Sequence, residues 1–199
     1  LVIVGFVLIL LPLILLRSDF QKTGNTAAVF LYFAALGVGY LFLEMVYIQQ
    51  FTKFMGDPIY SVSAALTAIL VSSGLGSSLQ SGLPGNSKSR IRLAGALIVG
   101  VAALYLLELD AVLRIFIDQS TGIRFVVTLL LLFPISFFMG WMFPNGMQLI
   151  GKEEQDRLVP WAWGVNGFLS VAASPLAVML SISVGFSGTV LTAMGCYVL

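Results

Sequence analysis

The sequence contains no histidine and one cysteine, Cys196, and each shortage excludes a class of site. Without histidine the chain lacks the usual proton shuttle and the commonest metal ligand. A single cysteine cannot form a disulfide framework or a zinc site. No nucleophile is paired with a recognisable base either. We therefore expect no metal site, no cofactor and no catalytic residue in this chain.

Charge is also scarce, because Asp, Glu, Lys and Arg make up only 10% of the residues. Soluble domains carry about 25% charged residues. The net charge is +1, so we expect no nucleic-acid partner. Apolar residues make up 59% of the chain. The lipid bilayer is therefore the partner that the composition predicts.

Seven apolar segments approach the roughly 20 residues that a helix needs to cross a bilayer. Helices satisfy their backbone polar groups in lipid, and the period-two alternation of membrane strands is missing. We predict an all-α polytopic transmembrane helix bundle of about seven helices. The expected segments are 1–16, 27–48, 59–79, 91–107, 125–150, 161–184 and 186–199.

These segments define the predicted domain organisation. Residues 1–16 are expected to be a truncated first transmembrane helix, 17–26 a cytoplasmic loop, and 27–199 a six-helix transmembrane domain. The chain starts with Leu1 and ends inside an apolar run, so we expect it to be a fragment of a longer protein.

The basic residues predict the orientation, because cytoplasmic loops are enriched in Lys and Arg. The first, third and fifth connections hold seven basic residues and the others hold three, so the first set is expected to be cytoplasmic. The fourth connection, 110–122, mixes apolar residues with Asp110, Arg114 and Asp118. This mixture predicts a short helix lying in the membrane interface.

Glu44 is the most unusual residue of the apolar segments, because a carboxylate is costly inside a bilayer. Helical spacing places Gly37, Tyr40, Glu44 and Tyr47 on one face. One interpretation is a proton or substrate site. The other is a structural Glu that is hydrogen-bonded to a neighbouring helix.

Two amides complete the intramembrane polar candidates. Gln49, beside Gln50, lies near the end of its segment, where the favoured interpretation is a solvated interfacial pair. Asn166 lies deeper and is expected to bridge helices by hydrogen bonding. A site that Asn166 shares with Glu44 is the alternative.

Glycine and proline mark the candidate positions for helix kinks and close packing. Kinked helices frame a substrate site in some transporters, but Gly and Pro also serve simple bundle packing. The candidates are Gly37, Gly74, Gly76, Pro134, Gly140, Pro144 and Gly167.

Two blocks of sequence carry a family resemblance. The first spans residues 31–77 and includes the pattern G-x-P-x-Y-S at Gly56 and the ending GLGS at Gly74. The second spans 133–187 and includes G-x-x-F-P-x-G at Gly140 and W-x-W-x-x-N-G-x-x-S at Trp161. Both blocks resemble the membrane region of bacterial fused major-facilitator/spermidine synthase-like proteins.

The resemblance implies six helices comparable to one major-facilitator half, preceded by one further helix, in the bacterial inner (plasma) membrane. The basic loop of this chain lacks the aspartate of the usual transporter motif. The implied function is a membrane domain that anchors, or exchanges substrate with, a cytoplasmic transferase domain not present in this chain. That domain would make the parent protein an aminopropyl- or methyl-transferase of the S-adenosylmethionine type.

Two alternatives belong to other classes. One is half of a secondary transporter that moves a small cation or polyamine by using Glu44. The other is a structural subunit of a membrane complex that presents the small-residue surface of residues 72–78.

Overall fold

The computed structural model describes residues 26–82, 84–150 and 152–198, and for 152–157 it describes the backbone alone. Every regular element in these ranges is helical, as the apolar runs predict. The five main helices are α1 (Thr26–Met55), α2 (Pro58–Leu79), α3 (Ser87–Phe116), α4 (Thr121–Leu149) and α5 (Lys152–Val198), and a short 3-10 turn, Gln80–Gly82, follows α2.

The five helices of the described ranges are long and apolar enough to cross a membrane. The chain is therefore a multi-pass integral membrane protein. The predicted count of about seven helices is not matched. The expected first span, 1–16, and most of the loop after it lie outside the described residues, and the expected spans 161–184 and 186–199 both fall within α5.

Local sequence signals determine where α1 ends and where α2 and α3 begin. Gly56 ends α1 with a left-handed φ of 76°. The Asp57 carboxylate then caps α2 by accepting hydrogen bonds from the backbone N–H groups of Ile59 and Tyr60, at 2.8 and 3.2 Å. Asn86 caps α3 in the same way, accepting from the Ser89 N–H at 2.8 Å. Such caps satisfy backbone donors that a helix leaves unpaired at its start.

The prediction of a separate interfacial helix at 110–122 is wrong. Residues 110–116 continue α3 without interruption, and the chain turns before Thr121 begins α4. The segment is amphipathic because it is the end of a long helix, and one side of this end packs against the bundle. Leu113 is buried, whereas Arg114 is exposed. Hydropathy alone placed the end of the helix too early.

The fifth helix reverses direction at Gly185, whose φ of 78° and ψ of 177° are not helical. Ser181 Oγ lies 3.3 Å from Thr189 Oγ1. Eight residues of straight helix would separate two residues by about 12 Å along the axis. The chain therefore folds back here, and we call the two antiparallel parts α5a (152–184) and α5b (186–198).

Contacts along α1 confirm the reversal. On α5a, Asn166 contacts Phe33 and Ser174 contacts Met45, so α5a runs parallel to α1. On α5b, Phe186 lies against Tyr47, whereas Tyr197 lies close to Gly39, so α5b runs antiparallel to α1.

The helices alternate in direction, so their ends meet at two opposite ends of the described part of the bundle. The two ends differ in their side-chain contacts. At one end, the Arg124 guanidinium donates to the carbonyl of Phe54 at 3.0 Å. At the other, Ser87 Oγ donates to Gln148 Oε1 at 2.7 Å, and Arg90 donates to Gln80 Oε1 at 3.3 Å. We call these the Arg124 end and the Arg90 end.

Candidate functional site

A cavity of about 710 Å³ lies between α1, α2, α4 and α5, in the half of the bundle nearer the Arg90 end. Its wall is mainly apolar and aromatic, with a few hydroxyl and amide groups. No charged side chain of the described residues lines it. Its polar lining residues are Tyr40, Ser73, Ser77, Asn166, Ser170 and Tyr197, and its apolar ones include Leu36, Met139, Met142, Phe143, Met147 and Trp163.

Hydrogen bonds to the backbone of α1 hold the polar residues of α5a at the cavity wall. Asn166 Nδ2 donates to the Phe33 carbonyl at 3.1 Å, and Ser170 Oγ donates to the Gly37 carbonyl at 3.3 Å. Both bonds cross between helices, as expected for Asn166. No donor among the described residues contacts Asn166 Oδ1, so this acceptor remains available on a residue that lines the cavity.

Tyr40 provides the polar group of α1 in the cavity. Its hydroxyl lies 3.5 Å from Ser73 Oγ of α2, at the limit of hydrogen bonding. Two hydroxyls with such a weak mutual bond can each turn to donate to or accept from a third group.

Three of the candidate glycines are points of close helix approach. A Cβ atom at Gly37 would lie 2.5 Å from the Asn166 carbonyl oxygen. At Gly76 it would lie 2.0 Å from the Phe137 carbonyl oxygen, and at Gly140 2.0 Å from the Ser73 carbonyl oxygen. These glycines bring α1 against α5a and α2 against α4, on both sides of the cavity.

The other two candidate glycines have open surroundings. A Cβ atom at Gly74 or Gly167 would meet no atom of the described residues within 4 Å. Gly74 nevertheless lines the cavity, so its missing side chain leaves space there and makes no helix contact.

Both candidate prolines of the fifth predicted span lie inside α4. A proline has no N–H to donate to the carbonyl four residues earlier. Pro134 therefore deprives Leu130 of its helical donor, and Pro144 deprives Gly140. Pro144 and Gly140 both line the cavity, so this weakened turn of α4 forms part of its wall.

The remaining polar candidates of α1 lie outside the cavity. Glu44 is buried one turn beyond Tyr40 toward the Arg124 end and is 8% exposed. No described residue forms a hydrogen bond or an ion pair with its carboxyl group. Tyr47 lies between Tyr105 and Phe186, with ring centroids 6.0 and 6.2 Å away, and its buried hydroxyl has no hydrogen-bond partner among the described residues. Gln49 is half-buried near the end of α1.

The structure therefore brings Tyr40, Asn166, Gly74, Gly140 and Pro144 together and leaves Glu44, Tyr47 and Gln49 elsewhere. The sequence interpretation did not assign Ser73, Ser170, Trp163 or Tyr197 to a site. Ser170 and Trp163 belong to the second resemblance block, which was the available signal for them. Trp163, 61% exposed, packs against Phe143 with ring centroids 4.5 Å apart and ring planes inclined by 55°.

No protein-family model, no curated protein and no solved structure matches the chain. Within the described ranges, no three His, Cys, Asp or Glu residues are grouped so that they could hold a metal ion.

Proposed function

We propose that this chain is the membrane domain of a spermidine synthase-like integral membrane protein. Its cavity would hold an acceptor or product of a cytoplasmic transferase domain that is not present in this chain. One observation carries the proposal: the two blocks of the family resemblance meet at the cavity wall. The first block contributes Gly74 and Ser77, and the second contributes Phe143, Asn166 and Ser170.

The chemistry of the cavity wall limits the ligand. Its volume lies within the usual range of small-molecule sites, about 300–1,000 Å³, which are apolar with a few placed polar groups. A polyamine would have to lose the hydration of several charges without a carboxylate in the described lining. The wall therefore favours a neutral or singly charged molecule, and the Phe143–Trp163 pair offers aromatic faces to one ammonium group.

The proposed topology follows the family resemblance. The helices α1 to α4, α5a and α5b form six crossings comparable to one major-facilitator half. The Arg90 end is cytoplasmic in a bacterial inner membrane, since Lys88, Arg90 and Arg92 lie there. The cavity then lies nearer the cytoplasm, on the side of the proposed transferase domain.

Filling the cavity tests the proposal. Labelled S-adenosylmethionine and its decarboxylated form would be given to the full-length protein in membranes. The measurement would be the transfer of the methyl or aminopropyl group from these donors to the acceptor that the cavity is proposed to hold. Gly74→Leu adds a side chain in the cavity, and we expect transfer to fall about tenfold or more, which corresponds to roughly 1.4 kcal/mol of lost binding.

Gly100→Leu is the matched control, because Gly100 of α3 also has open surroundings but does not line the cavity. We expect its transfer rate to stay near that of the wild type. Absence of transfer by the wild-type protein, or equal rates in the two variants, would contradict the proposal.

A second candidate function is half of a transporter that uses Glu44. The Glu44 carboxyl group supports it, because it is buried one turn from the cavity residue Tyr40 and has no partner within the described ranges. Intramembrane ionisable groups often mark ion or proton pathways. Uptake of labelled small cations into proteoliposomes should then be lost in Glu44→Gln and kept in Glu108→Gln, an exposed carboxylate of α3. Unchanged uptake in Glu44→Gln would rule out this role.

The contacts of the small-residue surface of residues 72–78 do not support the alternative that this chain is a structural subunit of a membrane complex. Gly76 packs on Phe137 and Ser73 on Gly140, within the chain itself. This part of the 72–78 surface is therefore already occupied by α4.

A further inference from the structure

A second pocket, of about 390 Å³, opens at the Arg124 end and shares no lining residue with the cavity. The end of α1, the end of α3 and the start of α5b form it. Lys53, Arg114 and Asp110 provide charges of both signs, and Phe54 and Phe186 provide apolar wall. None of these charged residues has a role in the proposed function.

The charges in this pocket are not paired with one another. Asp110 and Arg114 are four residues apart on α3, a spacing that allows an ion pair. Among the described residues, however, no ion pair joins Lys53, Asp110 or Arg114 to any partner. The Gln50 amide instead donates a hydrogen bond to Asp110 Oδ1. This bond holds the carboxylate in place and leaves its second oxygen available.

We propose that this pocket binds a zwitterionic phosphoethanolamine group, the headgroup of a phospholipid at the membrane surface. Arg and Lys are the usual side chains that bind phosphate. Lys53 and Arg114 bind the phosphate, and the free oxygen of Asp110 accepts a hydrogen bond from the ammonium group. Phe54 and Phe186 contact the adjoining glycerol and acyl carbons.

The arrangement distinguishes between headgroups. A choline headgroup carries a quaternary ammonium that cannot donate a hydrogen bond to Asp110. A glycerol headgroup can offer Asp110 only neutral hydroxyl donors, which offset the repulsion between the carboxylate and the phosphate less than an ammonium group does. Phosphatidylethanolamine therefore binds more tightly than phosphatidylcholine or phosphatidylglycerol.

Native mass spectrometry of the purified protein, titrated with the three lipids at equal acyl composition, tests this. A charge-assisted hydrogen bond leads us to expect about tenfold tighter binding of phosphatidylethanolamine than of phosphatidylcholine. Asp110→Asn should abolish this preference. Arg114→Gln and Lys53→Gln should weaken the binding of phosphatidylethanolamine and phosphatidylglycerol alike.

Two charged residues on α3 outside the pocket provide controls. Glu108→Gln removes an exposed carboxylate near Asp110, and Arg92→Gln removes an exposed guanidinium near the opposite end of the helix. Both variants should retain the wild-type preference. Equal binding of the three lipids by the wild type, or loss of the preference in Glu108→Gln as much as in Asp110→Asn, would overturn the proposal.

Soluble glycerophosphoethanolamine distinguishes the lipid from its free headgroup. Since the acyl chains add apolar contact, the soluble compound should displace the lipid only at much higher concentration. Displacement at equal concentration would overturn the assignment to a lipid and identify a soluble ligand with the same chemistry.

Discussion

At the scale of single residues, two glycines in one turn of α2 have opposite surroundings. Gly76 touches the backbone of α4, whereas Gly74 faces open space at the cavity. Both belong to the same GLGS sequence, and both were grouped as packing positions. Their helical positions, two residues apart, point in directions that differ by roughly 160°, and only the placement of α4 decides which of them is a contact.

Gly76→Ala should destabilise the protein. Its Cβ would lie 2.0 Å from the Phe137 carbonyl oxygen, a backbone atom that can move only if α2 and α4 separate. Overpacking of this kind costs about 1–3 kcal/mol. The free energy of unfolding, measured by titration with a denaturing detergent and circular dichroism, provides the test.

Gly74→Ala is the control for that experiment. It should leave the stability unchanged or raise it slightly, because Ala favours a helix over Gly and no described atom lies within 4 Å of its Cβ. A loss of stability in Gly74→Ala as large as in Gly76→Ala would contradict the assigned contact.

Two neighbouring tyrosines, Tyr105 and Tyr47, provide a second test of the assigned contacts. The Tyr105 hydroxyl donates to the Leu131 carbonyl, whereas the buried Tyr47 hydroxyl has no partner in the part of the chain that the structure describes. Tyr105→Phe should therefore lower the free energy of unfolding by about 1 kcal/mol, the usual value of an interhelical hydrogen bond. Tyr47→Phe should be neutral or stabilising. The same unfolding titration compares the two variants, and an equal loss in both would show that Tyr47 also has a partner.

At the scale of whole helices, the reversal at Gly185 determines the topology of the second half of the chain. Without it, α5 would be a rod of about 70 Å, more than twice the hydrocarbon thickness. With it, α5b returns along α1 and buries Tyr197 next to Gly39. Gly185 lies between the expected spans 161–184 and 186–199.

Gly185→Ala should lower the free energy of unfolding, because alanine would be strained in the backbone conformation of Gly185. The φ of 78° and ψ of 177° belong to a region that only glycine adopts readily, and strain there costs about 1–3 kcal/mol. A Cβ at Gly185 would meet nothing within 4 Å in the described ranges, so crowding is not the cause. Gly195→Ala, in α5b and equally open, is the control and should not destabilise. Detergent unfolding of both variants should show the loss in Gly185→Ala alone.

At the scale of the whole molecule, the two candidate sites lie toward opposite ends of the bundle. The cavity lies toward the Arg90 end, and the pocket with charges of both signs lies at the Arg124 end. Glu44 lies on α1 between them, buried and without a partner among the described residues. The proposed orientation therefore determines which compartment each site faces.

Cysteine labelling tests this orientation. In a Cys196→Ser background, Ser81→Cys and Gln119→Cys place single thiols at opposite ends of the bundle, and both positions are exposed. A membrane-impermeant maleimide added to intact cells should label Gln119→Cys, and should label Ser81→Cys only after permeabilisation. The reverse pattern would show that the Arg90 end faces outward.

Helix type and approximate position could be predicted because the bilayer imposes a minimum apolar length on each crossing. The helix ends could not be predicted as well. The expected 91–107 became Ser87–Phe116, since Asn86 starts α3 by capping and its far end remains helical beyond the apolar run. Polar residues near a membrane surface are compatible with both helix and loop, so their composition does not decide between them.

The site was only partly predictable. Tyr40 and Asn166 were expected and line the cavity, but Glu44 and Tyr47, on the same predicted face as Tyr40, do not. Periodicity identifies one face of one helix. It does not say which neighbour covers each turn of that face, and here α3 and α5b cover Tyr47 while the cavity adjoins Tyr40.

By itself, the sequence determined that this chain crosses a membrane repeatedly as helices, because few charges and long apolar runs leave no other way to satisfy the backbone. It also determined the caps at Asp57 and Asn86 and the break at Gly185, which depend on local conformation. The tertiary structure alone decided which glycines are contacts, that two distant blocks line one cavity, and that Lys53, Asp110 and Arg114 share a pocket. Those features depend on the packing of residues far apart in the chain, which no local pattern encodes.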